Sequence, residues 1–218
     1  MRIFTALIIL FLSATHFSLK AQLVDKVVPH FGFMYEFINL SEGDSVQDPF
    51  TDSQPFYTVH VGTYYALAHK NDVLSVGIDP SIQGGIRLNG NGISWMLQAP
   101  IFLMGKVGAN STPYNEQKIG FALGVGANFT YVNINNRGSI IDPFNGETVS
   151  LDLKKFFYNP QVVIEGTVNS RGGPISGRIH FSLLQQVKEG VVFSNGFVKY
   201  PFPQVEYNNF GLGIIYGF

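Results

Sequence analysis

The residues of this 218-residue chain best spaced to do chemistry lie in one short stretch, His180-Phe181-Ser182. In an extended strand, residues two apart point to the same side, so the His180 imidazole and the Ser182 hydroxyl share a face. A histidine beside a serine is a general base beside a nucleophile. Glu165, on the preceding strand-like segment, is the acid that would orient the base and complete a triad. The other histidines offer a second chemistry. His30, His60 and His180 fall on strand faces that also carry charge, and His69 lies at a turn. A metal site needs three such ligands to converge, and no H-x-H or H-x-x-x-H spacing is present. The expectation is therefore no metal and no cofactor, with the histidines paired to Glu36, Asp79 or Glu165 in a buried polar network.

The elements that must hold these residues are read from alternation. Segments at about 28–40, 55–69, 73–88, 92–106, 118–132, 156–168, 174–187 and 204–218 show period-2 patterning between turn-rich stretches. In VLSVGIDPSIQGGIRL the odd positions Ser75, Gly77, Asp79, Ser81, Gln83, Gly85 and Arg87 are small or polar. The even positions Leu74, Val76, Ile78, Pro80, Ile82, Ile86 and Leu88 are almost all apolar. The fifth segment behaves likewise, with Ile119, Phe121, Leu123, Val125, Ala127, Phe129 and Tyr131 on one face. Beyond this alternation there is no repeat, no low-complexity tract and no linker, which predicts a single domain over 22–218.

Residues 1–21 read as a leader. MRIFTALIILFLSATHFSLKAQ has one early Arg, an apolar stretch from Ile3 to Leu12, then small and polar residues. That is the order of a secretory signal peptide, and the stretch is too short to span a bilayer as a helix. Cleavage is expected after Ala21, with Ala14 or Ser18 as alternative sites. Charged residues make up 13% of the chain, against about 25% in ordinary soluble domains. The formal net charge of -1 gives no basic footprint for nucleic acid. The lack of cysteine excludes disulfides, thiol chemistry and a lipidated N-terminal Cys. No apolar run after the leader reaches the length of a membrane helix.

Two eight-stranded barrels remain, distinguished by which face points inward. A lipocalin-type soluble barrel keeps its apolar face inside. Here the strand-body charges, Glu36, Asp79, Arg87, Lys106, Lys118, Glu165 and Arg178, all share faces with Gly, Ser, Asn, Gln or His. The opposite faces (Phe31, Phe33, Tyr35 and Phe37; Tyr57, Val59, Val61 and Tyr65; Trp95, Leu97, Ile101 and Leu103) carry no charge. Lipid tolerates no charge near its midplane, whereas a narrow lumen lets mixed charges pair. The predicted fold is therefore all-β: an eight-stranded antiparallel up-and-down transmembrane β-barrel, apolar outside. Its expected lumen network is His30, Glu36, His60, Asp79, Arg87, Lys106, Lys118, Glu165, Arg178 and His180.

Connection lengths test this reading, because such barrels alternate long outer loops with tight periplasmic turns. The connections at 41–54, 133–155 and 188–203 are long, and those at 69–72 and 169–173 are tight. The short Asn89-Gly90-Asn91-Gly92 turn and the longer 107–117 connection break the pattern. An even strand number puts both termini on the periplasmic side of a Gram-negative outer membrane. Phe210, Leu212, Ile214, Tyr216 and Phe218 then line the outer face of the last strand. The loop with Arg137, Asp142, Pro143, Phe144 and Asn145-Gly146 is a candidate partner-binding segment. Phe193, Phe197, Tyr200 and Phe202 read as an interfacial girdle or a docking patch.

WMLQAPIFLMGKVGANSTPYNEQKIGFALGVGANF resembles the Leu-Gln-x-Pro-hydrophobic strand and following Gly-rich strand of small bacterial outer-membrane barrels of the PorT-like family. Gln98-Ala99-Pro100-Ile101-Phe102-Leu103 carries the motif, with Ala99 where a larger aliphatic is common. Some members of that family are linked to a secretion system of gliding and pathogenic bacteria, so the resemblance implies an envelope or secretion complex as partner. The alternating C-terminal residues ending in Phe218 resemble the signal read by the barrel-assembly machinery, which implies that machine as a transient partner alongside outer-membrane lipid. His180-Phe181-Ser182 is similar to the His-x-Ser of outer-membrane lipid A deacylases, although Leu183 stands where those enzymes carry Asn. Three function classes follow: a non-enzymatic structural or accessory barrel, a narrow channel or transporter, and a lipid A-modifying hydrolase using His180, Ser182 and Glu165. The first is the expectation, since mixed lumen charges would plug a pore.

Overall fold

A computed structural model describes residues 27–42, 51–89, 92–134, 139–141, 148–150, 153–184, 186–188 and 205–218. The expected leader at 1–21 with its cleavage site lies outside the described residues. So do Arg137, Asp142, Pro143, Phe144, Asn145, Gly146, Phe193, Phe197, Tyr200 and Phe202.

Eight strands build the wall: β1 (Val27–Glu42), β2 (Thr51–Lys70), β3 (Leu74–Asn89), β4 (Gly92–Gly108), β5 (Ile119–Ile134), β6 (Leu153–Ser170), β7 (Gly173–Ser182) and β8 (Val205–Gly217). Each pairs antiparallel with the next, and β8 returns to β1 in a register running from His30↔Gly217 to Glu42↔Val205. The sheet is closed, so no edge is left unpaired. A short hairpin, Ser139–Ile141 with Thr148–Ser150, lies within the β5–β6 connection, and Gln186–Lys188 pairs with the start of β8. The fold is the expected eight-stranded up-and-down barrel of the transmembrane kind.

Alternation fixes which side each residue faces, because a one-residue slip would exchange the two faces of a strand. On β5, Phe121, Leu123 and Val125 are exposed while Ala122, Gly124 and Asn128 are buried. The outer wall is apolar around its middle, with Phe33 67%, Tyr57 68% and Ile214 64% exposed. Among the buried residues are Glu36, Asp79, Lys106, Glu165 and Arg178. This inverts the arrangement of a soluble protein.

The tight turn between β2 and β3 places Asn71 and Asp72 at φ 51° and 54°, a left-handed conformation that Asn and Asp tolerate through local side-chain hydrogen bonds. The lumen also holds large apolar groups that a purely polar interior would lack. Phe56, Phe102, Phe157, Tyr64, Tyr207, Met96 and Met104 are fully covered. Glycines make room for them. A Cβ on Gly126 would lie 2.8 Å from the Phe102 ring, and one on Gly77 would lie 2.8 Å from the Tyr64 ring.

Candidate functional site

Arg178 occupies the centre of the lumen. Its strand partner across the β6–β7 ladder is Glu165. Arg178 Nε and Nη2 donate to Glu165 Oε2 at 2.9 and 2.7 Å. Nη2 also donates to Asp79 Oδ2 on β3, at 2.6 Å. One guanidinium thus joins β6 and β7 to β3 across the lumen. The planar fork suits this, since it reaches two carboxylates at once where an ammonium offers only a point charge. Lys106 on β4 donates from Nζ to Glu165 Oε1 at 3.3 Å and lies 4.5 Å from the centre of the Tyr64 ring.

The histidines extend this cluster. His30 Nε2 lies 2.8 Å from Asp79 Oδ1, and His30 Nδ1 shares a 3.1 Å hydrogen bond with His60 Nε2. The two rings are stacked, with centroids 5.0 Å apart. His180 Nε2 lies 2.9 Å from Glu36 Oε2. His30, Glu36, His60, Asp79, Lys106, Glu165, Arg178 and His180 are all buried, so these members of the predicted network do share the lumen.

Two members of the expected network are placed differently. Arg87 faces inward at the long-connection end, opposite Ser94, and is only half-buried. Lys118 is not a lumen residue, which corrects the expectation from alternation. The strand begins at Ile119, and Lys118 is exposed in the preceding connection, where its carbonyl accepts from Asn169 N at 2.9 Å.

That connection closes one mouth of the barrel. Gly108 and Asn110 adopt left-handed φ values of 76° and 64°, which turns Ala109, Asn110, Ser111 and Thr112 into buried positions. Ser75 Oγ donates to Ser111 O at 2.5 Å, and Ser111 Oγ donates to Asp72 O at 2.7 Å. Asn115 Nδ2 also donates to Asp72 O. From the end of β6, Asn169 Nδ2 donates to Gln117 O at 2.7 Å and to Asn115 O at 3.0 Å. The long connection that broke the loop-length pattern is a plug stitched to two turns.

The candidate triad takes other partners. Ser182 Oγ donates to Asn209 Oδ1 at 2.7 Å and accepts from Asn159 Nδ2 at 3.0 Å. Asn209 Oδ1 also accepts from Gln161 Nε2 at 2.6 Å, while Asn209 Nδ2 points to Glu36 Oε2 at 3.4 Å. His180 therefore meets Glu36, Ser182 meets Asn209, and Glu165 meets Lys106 and Arg178. Asn159, Gln161 and Asn209 were not singled out from sequence. Their one signal there is an inward position in the alternation. Among the described residues, no group of three or more His, Cys, Asp or Glu side chains could hold a metal ion.

The last strand turns Phe210, Leu212, Ile214, Tyr216 and Phe218 to the outer wall. Phe31 packs against Tyr216 and Phe218 with centroids 5.7 and 5.6 Å apart, and Phe37 lies 6.1 Å from Phe210.

No protein-family model matches the chain, and no curated protein matches it. Solved structures do. Ail, the attachment invasion locus protein of Yersinia pestis, is 10% identical with a TM-score of 0.46, covering 89% of this chain and 99% of its own. The outer membrane protein AlkL is 14% identical with a TM-score of 0.44, covering 89% and 90%. The outer membrane protease OmpT of Escherichia coli is 10% identical with a TM-score of 0.41, covering 93% and 99%. At these identities the likeness is one of fold and carries no activity to this chain.

Proposed function

We propose that this chain is an integral outer-membrane β-barrel without enzymatic activity, serving as a structural or accessory component of a cell-envelope or secretion complex. One observation carries the reading: an apolar outer wall encloses a lumen filled by mutually paired charges and large side chains. The wall suits lipid, which excludes charge but accepts the exposed Phe33, Ile82 and Ile214. The lumen suits a plug. Arg178, Asp79, Glu165 and Lys106 neutralise one another instead of lining an aqueous path.

The groups that could act as base and nucleophile are each taken up by another partner, which supports the non-enzymatic reading over the hydrolase. The Gln98-Ala99-Pro100 resemblance to PorT-like barrels supports a place beside an envelope complex, with both termini on the periplasmic side. The test is conductance of the purified protein in planar bilayers. No steady current is expected, and steady current through the wild type would favour the narrow channel instead. Mass spectrometry of lipid A from cells carrying Ser182→Ala tests the hydrolase: acyl composition is expected to match the wild type, and a Ser182-dependent acyl chain loss would overturn the proposal.

A further inference from the structure

The outward positions of β4 below its first turn are Leu97, Ala99, Ile101, Leu103, Gly105 and Val107, with no polar side chain among them. Eleven residues of tilted strand cover roughly the 25 Å height of a lipid-facing apolar band. Trp95 is the next outward residue above that band and is exposed. Its cross-strand partner on β5 is Asn133, whose own partner on β6 is Lys154. These three form one row over three adjacent strands. Directly beneath them, Tyr131 lies 5.3 Å from Trp95 between ring centroids, and Phe129 lies 6.4 Å from Phe156 and 5.2 Å from Tyr158. Lys154 carries a charge on the outer wall at the long-connection end, and it is exposed.

We infer that Trp95, Asn133 and Lys154 form a site for the phosphate headgroup of an anionic membrane lipid. The inference rests on the membrane reading above. An indole at this depth keeps its ring against acyl chains and directs its N–H toward the headgroup layer. The ammonium two strands along the same row supplies the point charge that a phosphate needs, and Asn133 between them adds an amide donor. The aromatic floor below the row excludes water from the acyl side. A free phosphate would lack the chains that this floor accommodates, so the ligand is a lipid.

Trp95 is the chain's one tryptophan, so its fluorescence reports this site alone. The full barrel would be reconstituted in mixed phosphatidylcholine and phosphatidylglycerol bilayers, with bromine on the acyl chains of one lipid at a time. Brominated phosphatidylglycerol is expected to quench Trp95 as though enriched about fivefold at the site, given the attraction of a basic residue to an anionic surface. Lys154→Gln should bring the two lipids to equal quenching, and Lys154→Arg should restore the preference. Equal quenching in the wild type would overturn the lipid site while leaving the barrel in the membrane. A preference that survives in Lys154→Gln would overturn it as well. Quenching by neither lipid would instead overturn the membrane reading itself.

Discussion

Asp79 and Arg178 stand 99 residues apart in the chain and meet across the lumen at 2.6 Å. The pair joins β3 to β7, strands that share no backbone ladder. Both side chains are essentially inaccessible, at 0% and 1%. In such a setting the attraction offsets a large desolvation penalty only while both partners remain.

Asp79→Ala should therefore destabilise the barrel by about 3–5 kcal/mol, because Arg178 and His30 each lose a buried acceptor. The double variant Asp79→Leu/Arg178→Met should recover most of that loss if Glu165 keeps Lys106. Urea unfolding followed by tryptophan fluorescence measures both, and additivity of the two single effects would count against the pairing.

Gly77 and Gly84 make a matched test of which face is crowded. A Cβ on Gly77 would run into the Tyr65 carbonyl and the Tyr64 ring, whereas one on Gly84 meets nothing within 4 Å. Gly77→Ala is expected to cost about 1–3 kcal/mol through overpacking, and Gly84→Ala should be close to neutral. The temperature at which the folded band is lost on unheated gels would rank them.

The plug depends on Asn115, which reaches the Asp72 carbonyl, with Asn169 binding the Asn115 carbonyl in turn. Asn115→Ala removes its side-chain bond to Asp72, worth about 1 kcal/mol. Local opening should rise about fivefold, read as faster tryptic cleavage after the exposed Lys118 with the barrel otherwise intact. An unchanged cleavage rate would mean that the remaining contacts hold the segment without Asn115.

His180 and Ser182 should differ sharply in stability if each serves the partner it contacts. His180→Ala leaves the buried Glu36 side chain without its closest hydrogen-bond partner, at a cost of about 2–3 kcal/mol. In Ser182→Ala, Asn209 Oδ1 still accepts from Gln161, so the loss should be nearer 1 kcal/mol. Comparable losses in denaturant titrations would show that the two residues act as one unit.

Much of this architecture is legible in the residues, because period-2 alternation reports facing directly. The small or polar residues at odd positions of 75–87 and even positions of 120–132 mark the lumen by residue type alone. Lys118 shows where that signal stops: extending the alternation one residue too far puts an exposed loop lysine inside the barrel. The plug was visible only as a connection of awkward length, since its identity lies in hydrogen bonds to Asp72 and Asn169 on distant turns. Partner choice within the lumen is the least legible feature. His180, Ser182 and Glu165 share an inward face, but His180 reaches Glu36 over Gly211 in the same cross-strand row and Ser182 meets Asn209 on the adjacent β8, pairings set by the closure of β8 on β1.

The plug belongs to the β4–β5 connection, yet one of its anchors, Asn169, lies at the end of β6. The carboxylate of Asp79 likewise waits for a guanidinium that arrives with β7. Without β6 and β7 the inner surface keeps an unmatched carboxylate and an untied mouth. Interior charge pairing and the seal at the mouth are therefore joint properties of the closed ring, and neither belongs to any local hairpin.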